Sequence, residues 1–102
     1  MRVIKVSRLG EYGETHTRAR AALERWLELT RLARWNTLAD VHGTFPHADQ
    51  VKVRSGRTVV VFNIKGNDFR LITAIHYNTG KVFVRDFLTH AEYSKDVWKD
   101  RQ

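Results

Sequence analysis

Residues 62–71 read FNIKGNDFRL: an apolar stretch, a polar break containing glycine, and a second apolar stretch. Gly66, Asn67 and Asp68 are turn residues, and apolar runs on both sides of such a break predict a β-hairpin. Working outward, RTVVVFNIK (57–65) and FRLITAIHY (69–77) are the arms of that hairpin. VKVR (51–54) precedes them across Ser55-Gly56, and KVFVRDFL (81–88) follows across Asn78-Thr79-Gly80. Short glycine-bearing connections of this kind predict an antiparallel meander of four strands.

Alternation along 69–77 places Phe69, Leu71, Thr73, Ile75 and Tyr77 on one face and Arg70, Ile72, Ala74 and His76 on the other. The first set is a core face. Arg70 therefore belongs to the opposite face, expected to lie uncovered and open to solvent or a ligand. Lys65, Asn67 and Arg70 ring one end of this hairpin, which raises the question of what they would grip.

The first half of the chain has a different period. RVIKV (2–6) is a short first strand, and Ser7 is placed to cap a brief helix through Leu9 and Tyr12, interrupted at Gly13. In THTRARAALERWLELTRLARW, Ala19, Leu23, Trp26, Leu27, Thr30 and Ala33 recur every three or four residues. This is an amphipathic helix, capped by Thr15 or Thr17, whose apolar stripe should cover a sheet. Arg20 with Glu24 and Glu28 with Arg31 are spaced to pair on its outer face. Thr37 and Asp40 resemble a capping box opening a short helix that ends near Gly43 and Pro46. AEYSKDVWKDRQ, at the other end, is expected as a short helix or turn. Helices first and strands later predict one α+β domain over residues 1–102, with two N-terminal helices packed on one face of an antiparallel sheet.

Composition narrows the function. Eighteen Lys and Arg against eleven Asp and Glu give a net charge of +7 and a pI near 10.3. A field of that sign attracts polyanions or an acidic protein partner. Twelve of the eighteen cations are arginine, whose planar fork matches phosphate. Cysteine is absent, which excludes disulfides, thiolate metal sites and cysteine nucleophiles. The N-terminal residues are too charged for a signal peptide, and no apolar run approaches a spanning helix. No membrane association is expected, and a cytoplasmic location is.

A second polar cluster, FLTHAEYSK (87–95), sets His90 and Tyr93 just beyond the last strand, with Glu92 and Lys95 nearby. An imidazole titrates near neutrality and a phenol donates or accepts a hydrogen bond. His16, His42 and His47 fall in loops or at helix ends without HxH or HExxH spacing, so no metal site is expected. P-loop, GxGxxG and GxSxG patterns are missing, and no cofactor is implied.

The strings VVFNIKGNDFRL, Ile75-x-Tyr77 and V-x-V-R-x-F-x-THAEY, with Trp35 and Ala39-Asp40 upstream, closely resemble the HigB toxin family. That family lies within the RelE-like superfamily of bacterial toxin–antitoxin modules. The resemblance implies an endoribonuclease that enters the A site of the 70S ribosome and cuts mRNA without metal. It also implies a HigA-type helix-turn-helix antitoxin as partner. Under it, Arg70 is the phosphate-stabilising arginine, His90 and Tyr93 are a polar pair beside the scissile phosphate, and Lys65 is a second cation. His90 is the general-base candidate because of its titration range. Arg57, Asn67, Lys81, Arg85 and Lys95 are the expected RNA contacts. The competing readings are a basic RNA- or ribosome-binding module without catalysis and a domain whose basic face holds an acidic protein. Asp86 departs from the family pattern, standing where relatives more often have an apolar residue, and it blurs the register of the last strand.

Overall fold

The computed structural model describes all 102 residues. Strands β1 (Arg2–Ile4), β2 (Asp49–Lys52), β3 (Thr58–Ile64), β4 (Phe69–His76) and β5 (Lys81–Thr89) form one sheet in the order β1-β5-β4-β3-β2. The meander from β2 to β5 is antiparallel, as the turn residues require. β1 joins the far edge parallel to β5, so the sheet is mixed. That pairing needs a long crossover, and the helices supply it. They carry the chain from the β1 edge to the β2 edge, after which the hairpins return it.

Helices α1 (Val6–Thr15), α2 (Arg20–Leu32) and α3 (Leu38–Thr44) lie on one face. Leu23 and Trp26 of α2 enter the main core with Leu9 of α1 and Val41 of α3, against Phe62, Leu71, Val82 and Phe87. α1 runs through Gly13 instead of stopping there. Gly13 is buried, and a Cβ on it would lie 3.6 Å from the side chain of Arg20, so the missing side chain lets the next segment approach. Neither Thr15 nor Thr17 caps α2, which is entered through a 3₁₀ turn at Thr17–Ala19. The ion pair on α2 is Arg25 with Glu28, in place of the two expected pairs. Thr37 does cap α3, accepting from the Asp40 amide, while the Asp40 carboxylate accepts from Asn36.

The uncertain register at Asp86 is a β-bulge. Ile72 faces Asp86 and Thr73 faces Val84, leaving Arg85 as an extra residue in β5. Strict alternation would send Asp86 into the core beneath the helices. The bulge instead places Phe87 there, stacked on Tyr12 and Phe69 with centroids 5.2 Å apart in each pair. Arg8 of α1 secures the irregular backbone, donating to the carbonyls of Val84 and Arg85 at 3.2 Å each. Asp86 pairs with neither Arg85 nor Arg70. Its carboxylate accepts from Arg101 at 2.7 Å and from Gln102 at 3.4 Å.

The opposite face of the sheet is not open, contrary to expectation. After β5 the chain forms α4 (His90–Ser94) and a 3₁₀ turn at Val97–Arg101, and this strap folds back across the sheet. Trp98, only 2 % exposed, packs among Val53, Val59, Val61, Ile72 and Leu88 as a second core. The signal was present in VVVF (59–62), where the strand stays apolar without alternating, the pattern of a strand covered on both sides. Ion pairs of Arg54 with Asp100 at 3.1 Å and Arg101 with Asp86 at 2.7 Å hold the strap's rim. The Arg54 pair is exposed and contributes little, so the buried indole carries most of the attachment.

Replacement of this side chain measures the attachment. Trp98→Ala should lower unfolding stability by about 3–5 kcal/mol, the range for deleting a buried aromatic. In urea titrations, Arg54→Ala should stay within about 1 kcal/mol of wild type. Equal effects of the two would show that the strap is held by its charges.

Candidate active site

Arg70 is the second residue of β4 and, at 8 % exposure, an arginine almost wholly removed from bulk solvent. A guanidinium in such a place needs partners for its donors. One terminal nitrogen, Nη1, donates to the carbonyls of Asn67 at 2.9 Å and Phe69 at 3.1 Å. The other, Nη2, is 3.4 Å from Nδ1 of His90. The guanidinium carbon stands 5.4 Å from the centroid of the Tyr93 ring, within cation–π range. One backbone carbonyl comes from the β3–β4 turn and the other from the first residue of β4, so the turn's shape aims the arginine.

His90 and Tyr93 are delivered by a capping box at the start of α4. Thr89 accepts from the Glu92 amide at 3.2 Å, and the Glu92 carboxylate accepts from the Thr89 amide at 2.9 Å. His90 and Tyr93, three residues apart on this helix, fall on one side of it. The His90 amide donates to the Asp68 carbonyl at 3.0 Å, tying α4 to the hairpin turn. Tyr93 is backed by Trp98, with ring centroids 5.2 Å apart and planes 20° from parallel, and the indole N–H donates to the Tyr93 carbonyl at 3.0 Å. The strap thus fixes the phenol, and the phenol faces the guanidinium.

A cleft of about 280 Å³ opens beside Arg70 and Tyr93, bordered also by His47, Asp49 and Asn63, while His90 reaches Arg70 from outside its lining. Burial, reinforced by the Asp49 carboxylate and opposed by Arg70, raises the Tyr93 phenol above its ordinary value. The phenol is therefore a proton donor at neutral pH. Arginine can only donate, so this contact uses the lone pair of Nδ1, in the tautomer that carries the imidazole proton on Nε2. His47 makes no hydrogen bond within the protein and leaves both ring nitrogens free. No three His, Asp or Glu side chains gather as a metal site requires.

Of the residues singled out in the sequence, Arg70, His90 and Tyr93 come together. Asn67 contributes its backbone carbonyl, while its side chain is exposed. Lys65 is exposed at the hairpin tip with positive φ (55°), and neither it nor Lys95, which follows α4, borders the cleft. Arg57, Lys81 and Arg85 are at the other end of the sheet: Lys81 pairs with His76, and Arg57 and Arg85 flank a separate recess. His47, Asp49 and Asn63 were missed. Asn63 was legible as the rung partner of Arg70 once the hairpin was registered. His47 carried no spacing signal, because a loop brings it to the site.

The model for the HigB toxin, described as the RelE-like toxic component of a toxin–antitoxin system, matches residues 19–96. The chain belongs to the HigB toxin family. No curated protein matches it. As a HigB toxin it has an antitoxin for partner, and its mixed sheet with helices on one side agrees with a RelE-like α+β fold. The HigB match takes in His47, Arg70, His90 and Tyr93 but ends at Asp96, two residues before Trp98. No helix is long and apolar enough to cross a membrane.

The capping box has a titratable half. The Thr89 amide, which donates to it, holds the Glu92 carboxyl below its ordinary range. A carboxyl depressed by folding stabilises the fold above its unfolded value, and that stabilisation disappears as pH falls through the folded value. Glu92→Gln should therefore be less stable than wild type at neutral pH. The two proteins should converge once the solution is more acidic than the folded carboxyl. Unfolding curves with a constant gap at all pH values would show that the ionised carboxylate contributes nothing.

Proposed function

We propose that this toxin is an endoribonuclease that cuts mRNA during translation by metal-independent attack of a ribose 2′-hydroxyl on the adjacent phosphate. The observation that carries this reading is the nearly buried Arg70, aimed by backbone carbonyls, contacting the His90 imidazole and sharing one cleft with the protonated Tyr93 phenol. Solvent exclusion makes a fixed guanidinium effective against developing negative charge, because water does not screen it.

The chemistry divides among the groups present. The 2′-hydroxyl loses its proton, its oxygen forms a bond to phosphorus, and the 5′-oxygen leaves and takes up a proton. The product is a 2′,3′-cyclic phosphate and a free 5′-hydroxyl. Arg70 stabilises the phosphorane's equatorial oxygens. Tyr93, kept protonated by its surroundings, donates to the leaving oxygen or to the phosphorane. His90 presents Nε2–H, with its other nitrogen directed at Arg70, which suits a donor that orients phosphate better than the general base expected from titration range alone. His47, with both nitrogens free and on the same cleft, is the better-placed base. Lys65 then serves as a backbone contact at the hairpin tip. The ribosomal A site as the place of cutting rests on the likeness to RelE-like toxins, and the net charge of +7 suits a surface of ribosomal RNA.

Purified ribosomes stalled on a defined message test this, with cleavage mapped by primer extension. Arg70→Ala should abolish detectable cutting, and His47→Ala or Tyr93→Phe should each slow it by about 10²- to 10⁴-fold, the range for an acid or base. Lys65→Ala should cost less than either. Thermal unfolding of Arg70→Ala shows whether a loss is chemical. A folded Arg70→Ala protein that cuts at the wild-type rate would sink the assignment.

A further inference from the structure

The strapped face of the sheet has a second recess, at the end of β3 and β4 away from the cleft. It measures about 500 Å³ and is bordered by Arg57, Ala74, His76, Phe83 and Arg85. Trp98 and its apolar neighbours fill the face between the two. Ala74 is four residues from Arg70 along β4, about 13 Å at the usual strand rise.

The chemistry of this recess is specific. Ala74 faces Phe83 across β4 and β5, and its single methyl leaves room above the floor of the recess. The rings of His76 and Phe83 meet with centroids 4.9 Å apart and planes tilted by 54°. His76 is exposed and Phe83 half-buried, so the ring pair remains reachable. Arg57 forms no ion pair, and Arg85 is held only by the Gln102 side-chain carbonyl at 3.2 Å. No acidic residue borders the recess. Asp86, the nearest carboxylate in sequence, is already engaged by Arg101. An open aromatic pair between two guanidiniums with no acidic side chain beside them is the pattern of a platform for single-stranded nucleic acid.

We propose that this recess is a second RNA subsite. It takes one unpaired nucleotide, with its base against His76 and Phe83 and the flanking phosphates on Arg57 and Arg85. The inference rests on the nuclease reading, which brings RNA across this face, and it adds a grip a few nucleotides from the scissile bond. An acidic protein segment would use the arginines but leave the rings idle, so RNA fits the whole set better.

Fluorescence anisotropy with a single-stranded 2′-O-methyl RNA of about eight nucleotides, which has no 2′-hydroxyl to attack, tests the subsite without cleavage. In Arg57→Ala/Arg85→Ala the slope of log affinity against log salt should fall by about 1.4, or roughly 0.7 for each lost phosphate contact. His76→Ala should weaken binding at least about fivefold while leaving that slope unchanged, because stacking releases no counterions. Blunt duplex RNA should show no His76 effect. Wild-type affinity in His76→Ala, or an equal loss on duplex, would overturn the proposal. Failure of the nuclease reading is separately visible: wild-type protein would cut no message while His76-dependent binding persisted.

Discussion

One guanidinium organises this molecule. Arg70 sits on a sheet face that the C-terminal strap removes from water, and an isolated charge there would cost several kcal/mol. Three arrangements offset that cost: two backbone carbonyls, the lone pair of His90 and the face of Tyr93. Each partner depends on another element. The turn fixes the carbonyls, the capping box at Thr89 fixes His90, and Trp98 fixes Tyr93. A small domain with about 5–15 kcal/mol of total stability has little reason to build this around a charge for stability's sake. Apolar residues in the same space would hold the sheet as well or better, so the charge points to chemistry.

Much of this was legible in the sequence because the relevant signals are local. Turn residues gave the hairpins, period-two alternation gave the faces of β4, and three-and-four spacing gave α2. The main surprise, the covered second face, depends on a contact between Trp98 and residues far away in sequence, which no local period reports. The continuous VVVF run did carry it, as the mark of a strand with two dry sides. Asp86 shows how a local inconsistency can be informative. A carboxylate at an alternating core position was incompatible with regular pairing, and the bulge with its Arg8 clasp is the physical resolution. The parallel pairing of β1 was not readable, since a three-residue strand carries no information on which edge it will join.

The site divides in the same way. Arg70, His90 and Tyr93 lie on or beside two consecutive strands, so register and one capped helix suffice to bring them together. His47 lies in the loop before β2 and borders the same cleft as Arg70 only because β2 and β3 pair beside β4. The expected RNA contacts share charge or polarity, and charge does not specify a location. Their separation into the hairpin tip and the far recess follows from strand length: residues at opposite ends of β3 cannot share one phosphate.

The strap therefore does more than seal a core. By occupying the middle of the face it turns one continuous surface into two recesses of different chemistry, one holding the nearly buried Arg70 beside Tyr93, the other holding the His76–Phe83 ring pair. The HigB match stops within the strap, before Trp98, so the residue that backs Tyr93 lies outside what the family model covers. A guanidinium site of this kind needs some buttress behind its phenol, because an unsupported ring on a five-residue helix would sample many rotamers and lose its alignment. Here an indole stacked at 5.2 Å provides it, and the hydrogen bond from that indole to the Tyr93 carbonyl makes ring and backbone move as one. Stability and positioning are then the same contact, and loosening the strap should disturb the chemistry before it unfolds the sheet.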